Sequence, residues 1–206
     1  MHDQLRQVLL DSRELGFLGP GPVDDHVEHA RGFLAPLAEV RGAARLLDLG
    51  SGGGVPGLVL AVERPDLEVV LLDGMERRCA FLRLAVERLG VGGRVQVVCE
   101  RAETAARRPE LRGHFDVVTA RSFAAPAVTA ECAAGFVRVG GLILVSEPPD
   151  VPVEQRWPSD PLATLGLEPG ARWSDAGATI QALNAMNACP ERFPRRVGVP
   201  AKRPLF

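Results

Sequence analysis

Short apolar runs alternate with longer amphipathic stretches along most of the chain. Arg45-Leu46-Leu47-Asp48-Leu49 is a compact strand candidate, and Leu67 to Leu72 is a second that ends at Asp73. Val95 to Cys99, Phe115 to Thr119 and Gly141 to Val145 predict three more. Residues 75–89 set Met75, Cys79, Phe81, Leu82, Ala85, Val86 and Leu89 in a helical stripe, and Ala124 to Phe136 supply another helix. Short apolar runs separated by helices are the pattern of βαβ units, with a mostly parallel sheet covered on both faces. Ala178 to Ala188 can hold a last strand, whereas the proline-rich, acidic stretch 146–170 reads as loop.

Two amphipathic segments come first. Residues 3–18 carry Leu5, Val8, Leu9, Leu15 and Phe17 at helical spacing, stopped by Gly16 and Gly19-Pro20-Gly21-Pro22. A second helix is predicted from about Asp24 to Val40. The expected organisation is a helical preface over 1–42, an α/β domain over 43–190 and a basic tail over 191–206, packed on the domain or extending from it.

With 206 residues and 46% apolar side chains, the chain can bury one real core, which excludes wholesale disorder. Its net charge of -2 excludes a uniformly basic nucleic-acid coat but leaves room for a local basic patch. Cys79, Cys99, Cys132 and Cys189 stand far apart with no metal-ligand spacing, so a reduced, cytoplasmic protein without a metal site is expected. The start lacks the basic-then-apolar order of a signal peptide, and no run is long enough to span a membrane. A monomer is the default expectation.

The strongest chemical signal is Asp48-Leu49-Gly50-Ser51-Gly52-Gly53-Gly54-Val55-Pro56-Gly57, placed where a first strand turns into a first helix. Ligands of open parallel sheets bind beyond the carboxyl ends of the strands, where glycines let backbone approach them. Residues 52–57 satisfy the dinucleotide frame GxGxxG, and the frame Asp48-x-Gly50-x-Gly52-x-Gly54 satisfies that of S-adenosylmethionine binders. Asp48 favours the second. A carboxylate at the mouth suits a cationic amino group and would repel a pyrophosphate. Asp73, 23 residues beyond Gly50, suits the two hydroxyls of a ribose, a feature both cofactors share.

These residues, with Leu71-Leu72-Asp73, Arg77-Arg78, Phe81-Leu82, Arg101-Ala102-Glu103, the run Phe115 to Ala124 and the ending Phe193 to Leu205, resemble one family closely. It is the bacterial small-subunit ribosomal RNA guanine-N7 methyltransferases, also called glucose-inhibited division protein B. The resemblance implies a class I methyltransferase fold, with a seven-stranded sheet whose last strand is antiparallel. It also implies methylation of guanine N7 in the 530 loop of 16S rRNA, with S-adenosylmethionine as cofactor and the rRNA or the 30S subunit as partner. The loop Gly50, Ser51, Gly52 and Gly54 would hold the methionine half together with Asp48, and Asp73 with Gly74 the ribose. Ala102 and Glu103 would lie beside the adenine, and Arg101 and Arg121 would serve the RNA or the methyl-transfer site. N7 has a free lone pair, so alignment of base and methyl is the main demand and no general base is needed.

His26 lies where the family often has a histidine, and packing is its expected role. Phe123 either stacks a base or seats the following helix. The chain also departs from the family. Glu147 stands close to the position of the usual lysine after the fifth strand, which reverses the local charge, and Phe17 to Pro22 replaces a longer preface element. Two alternatives therefore stay open: a methyltransferase acting on another RNA, a protein or a small molecule, and a non-catalytic cofactor-binding protein associated with the ribosome.

Overall fold

The computed structural model describes residues 2–38, 40, 44–175 and 177–206. The strands are β1 (Arg45–Leu49), β2 (Glu68–Asp73), β3 (Val95–Cys99), β4 (Phe115–Ala120), β5 (Val137–Glu147), β6 (Leu167–Asp175) and β7 (Ala178–Ala185). They form one sheet in the order β3-β2-β1-β4-β5-β7-β6. β1 to β5 pair in parallel, and β7 runs antiparallel to both its neighbours. This is the class I methyltransferase fold expected from the resemblance.

Apolar residues fill both faces of the central strands, and successive side chains sort to opposite faces. Leu46, Val69, Leu71, Val117 and Leu144 join one core cluster, while Leu47, Val70, Leu72, Val118 and Ile143 join the other. The first cluster is closed by α1 (His2–Glu14), α2 (Val23–Arg31), α3 (Leu34–Leu37), α4 (Gly57–Glu63) and α5 (Glu76–Arg88). Leu5, Leu9, Phe33 and Leu37 of the preface pack in the same cluster as Leu58 and Leu82. The second is closed by α6 (Ala102–Ala105), α7 (Pro126–Ala134), Trp157 and Phe193. Among the described residues, no helix is long and apolar enough to cross a membrane.

Several expectations are corrected. The single helix expected over 24–40 is two: Pro36 has no N–H to give the Gly32 carbonyl, and the helix breaks at Gly32 and Phe33, where Gly32 packs against Ala178. Glu39, and the boundary expected at 42 and 43, lie outside the described residues. The supposed loop 146–170 contains α8 (Val153–Arg156), α9 (Ser159–Ala163) and the start of β6. β6 is an edge strand whose register shifts between Pro169 and Arg172, so proline and polar residues are tolerated there. Of the two placements open to the tail, the structure has the packed one: it folds back onto α7 and forms α10 (Val199–Lys202).

Candidate active site

The glycine loop leaves β1 at the carboxyl edge of the sheet and enters α4 at Gly57. Gly50 has φ of 72° and lies under the Phe123 ring, where a Cβ would stand 2.5 Å from Cδ2. Phe123 therefore seats the loop itself. Gly53 meets the preface, since Ser12 Oγ donates to its carbonyl at 2.9 Å and a Cβ there would strike Ser12, Leu18 and the Phe17 carbonyl. Phe17 is anchored edge-on against Phe81, 5.7 Å between ring centroids.

A cavity of about 260 Å³ opens over this loop. Gly50, Ser51, Gly52, Gly53 and Val55 form one side, Phe17 to Gly19 and His26 of the preface another, and Arg78, Arg121 and Ser122 the rest. Of the expected residues, it brings together Gly50, Ser51, Gly52 and Arg121. Ser122 has a positive φ of 52°, which non-glycine residues adopt at a cost of order 1–3 kcal/mol and which marks a sharp turn just after β4.

Asp48 is not at the mouth, which corrects the sequence reading. It is 1% exposed and faces the α4 side of the sheet. Thr119, its register partner on β4, donates Oγ1–H to Oδ1 at 2.9 Å, and Gly57 N–H donates to Oδ2 at 3.1 Å. Asp48 thus holds the two ends of the loop from beneath. Burial pushes its carboxyl up from 3.8 to about 6, against the bonds from Thr119 and Gly57 that favour the charged form. A folded-state pKa above the unfolded one means that this site favours folding most below about pH 4 and that the advantage is lost as pH rises through about 6. Across that interval it amounts to about 3 kcal/mol. Asp48→Asn, which can present its carbonyl to Gly57 and its amide to Thr119, is expected to remove that slope. Urea unfolding at pH 4 and 7 measures it, and an unchanged slope would show that Asp48 does not carry the dependence.

Asp73 ends β2 beside the loop, accepting Gly52 N–H at 2.9 Å and Met75 N–H at 2.8 Å. Arg78 lies 3.7 Å from its Oδ2. Gly74 makes room for Arg101, whose Cδ would be 3.1 Å from an added Cβ. Arg101 is largely exposed and reaches Glu103 at 3.4 Å. Glu103 is 5% exposed and also accepts Gly198 N–H at 2.9 Å from the tail. Burial would raise its carboxyl, but those partners hold it below the usual range. Asp73, Gly74, Ala102, Glu103 and Arg101 follow along the ends of β2 and β3, outside the 260 Å³ cavity, so Arg101 and Arg121 do not share it.

The cavity fits a ligand with an anionic end on a glycine cradle. Arg78 Nε is buried without a hydrogen-bond partner, and Arg121 brings a second guanidinium to the same space. Such donors suit the carboxylate of a methionine moiety. Val55, His26 and Arg78 escaped the sequence reading of the site. Val55 follows the glycines directly, and Arg78 lies in the first turn of the helix after Asp73; those were the available signals.

Beyond β5 the charge reversal is cancelled internally. Glu147 is buried and takes a two-pronged ion pair from Arg156 of α8, with Arg156 Nη2 at 3.1 Å from Oε1. A larger cavity, about 600 Å³, lies here between Glu147, Pro149, His29 and the β6–β7 turn. His29 bridges Ser146 Oγ at 2.7 Å and the Gly177 carbonyl at 2.9 Å, and burial with the nearby Arg121 charge lowers its pKa. His26 and His29 sit three residues apart on α2, about 4.5 Å along its axis, so one helix borders both cavities.

A family model described as rRNA small subunit methyltransferase G (GidB) matches residues 26–148. Ribosomal RNA small subunit methyltransferase G of Moorella thermoacetica is 36% identical over 179 residues, covering 84% of this chain and 73% of the relative. The protein of the same name from Thermotoga sp. (strain RQ2) is 42% identical over 180 residues, covering 84% and 77%. Among solved structures, cofactor-bound Rv0187 from MTB is similar with a TM-score of 0.62 at 23% identity, covering 90% of this chain and 91% of that one. The antibiotic-resistance methyltransferase Kmr gives 0.53 at 20%, covering 75% and 91%. These structures share the fold. The family match across more than half the sequence, and relatives above 30% identity along most of it, agree with the glycine cradle: the chain belongs to the rRNA small subunit methyltransferase G family and is an S-adenosylmethionine-dependent methyltransferase.

Proposed function

We propose that the protein methylates N7 of a guanine in the 530 loop of 16S rRNA, either as free RNA or within the 30S subunit. The observation that carries this reading is the pair of cavities at one sheet edge. The smaller is lined by the glycine loop and two arginines, and the larger, bordered by the same helix, is big enough for an unstacked base. The cofactor would supply an electrophilic methyl group on a sulfonium.

In this reading Gly50 to Gly54, with Ser51, present backbone to the methionine half, Arg78 meets its carboxylate, and Arg121 reaches from the same space toward the methyl and the base that receives it. Asp48 acts through the loop it braces. Asp73 and Gly74 stand where the ribose would follow, and Ala102 and Glu103 where the adenine would lie. N7 attacks through its own lone pair, so the protein must align the base and exclude water rather than move a proton. Positive charge passes to the base as the methyl moves, and the Glu147 carboxylate, both of whose oxygens are taken by Arg156, stays paired beside the larger cavity. Arg101 and the exposed tail residues Arg196, Lys202 and Arg203 supply cations for the RNA backbone.

Incubation with labelled S-adenosylmethionine and unmodified 16S rRNA or 30S particles is expected to yield one new 7-methylguanosine in the 530 loop, mapped by nucleoside mass spectrometry. Cofactor binding by calorimetry with no incorporation into either substrate would refute this acceptor. It would favour the alternative of a changed substrate, for which the Glu147–Arg156 pair is the specific structural departure.

A further inference from the structure

We propose that His26 is a positioning residue: as the neutral Nε2–H tautomer it sets the guanidinium of Arg121 in the cofactor cavity. His26 is buried on α2, and both ring nitrogens are engaged. Nε2 lies 3.2 Å from the Gly19 carbonyl, which can only accept. Nδ1 lies 2.7 Å from Arg121 Nη2, which can only donate. Only one form satisfies both neighbours: Nε2 carries the proton and Nδ1 is an acceptor. A second proton on the ring would set N–H against N–H and two cations at contact distance.

Arg121 has no carboxylate within ion-pair distance among the described residues, so His26 is the one side chain shown to hold it. The bond consumes one donor and leaves the others to the cavity. It also ties that cation to Gly19, and through the preface turn to the same segment that packs on Gly53. The histidine thus has a task that packing alone would not require.

The informative comparison changes only the ring. Asparagine places a carbonyl oxygen near the Nδ1 position and cannot be protonated there. Glutamine reaches the Nε2 position and restores only the Gly19 bond.

This inference rests on the reading of the cavity as the methyl-donor site. Calorimetric affinity for S-adenosylmethionine, and methyl transfer, are measured for wild type, Arg121→Ala and the His26 variants, with thermal unfolding as a check of folding. His26→Ala is expected to lose about tenfold in transfer, the worth of one hydrogen bond to a charged group. His26→Asn is expected to recover most of that loss, and His26→Gln to recover little. Equal transfer rates for His26→Ala and His26→Asn, or rescue by glutamine in place of asparagine, would overturn the positioning role while leaving the site reading intact. A wild type that does not bind the methyl donor, or an Arg121→Ala variant without effect, would overturn the site reading and this inference together.

Discussion

Arg121→Ala is expected to lower methyl transfer about 100-fold in kcat/KM, with a smaller loss of cofactor affinity. The guanidinium is half-buried at the end of β4, with burial pulling its pKa down and the Asp48 carboxylate offsetting part of that effect. A cation is held in such a place at a cost, and the strained turn at Ser122 adds to it. Charge-assisted hydrogen bonds of this kind are worth about 1.5–3 kcal/mol, or about 10- to 150-fold. The loss should fall more on transfer, because in the proposed site Arg121 lies between the glycine loop and the larger cavity. Arg121→Lys keeps the charge but not the fork, and should fall between the two. Calorimetry combined with single-turnover methylation separates affinity from transfer. Full activity in the alanine variant would remove Arg121 from the site.

The central sheet was legible because its strands are covered on both faces. Leu46-Leu47, Val69-Val70 and Val117-Val118 each send one side chain into each core cluster, so they appear as unbroken apolar runs. β6 lacked that signature. It lies at the edge beyond β7, with Pro169 and Gly170 at a register shift, and its polar residues reach solvent. The placement of the tail stayed open for a related reason: prolines and arginines signal an extended, solvated segment unless a buried acid awaits them.

The glycine loop and Asp73 could be found from local spacing at the ends of strands, and Arg121 from the family resemblance. Contacts between distant segments could not. Spacing identifies Asp48 as an acid before a glycine loop, but its depth depends on Thr119 standing opposite it, 71 positions away. Likewise Glu147 looked like a charge reversal facing substrate until Arg156, nine residues on, folded over it. His26 reaches Arg121 across 95 positions, a pairing set by the packing of the preface and by no motif.

Arg195→Ala is expected to destabilise the protein by about 3–5 kcal/mol, the range for breaking a buried pair by removing one partner. Glu131 of α7 has a side chain that is 0% exposed. Its oxygens accept the Arg195 backbone N–H at 2.7 Å, Nε at 2.9 Å and Nη2 at 2.6 Å. Without the guanidinium, Glu131 would keep only the backbone bond. Arg195 also donates to the Arg203 carbonyl at 2.7 Å, which closes the tail into a loop around α10. Within that loop Gly198 N–H holds Glu103, so release of the tail should also loosen the adenine side of the proposed site and weaken cofactor binding. Glu131→Gln, which retains an acceptor for the backbone, should cost less alone. Combined with Arg195→Ala it should recover part of that variant's loss, because no unpaired charge would remain buried. Urea unfolding of the four proteins measures the coupling. A loss under about 1 kcal/mol in Arg195→Ala would mean that the tail is not pinned here and that its arginines are free to follow RNA.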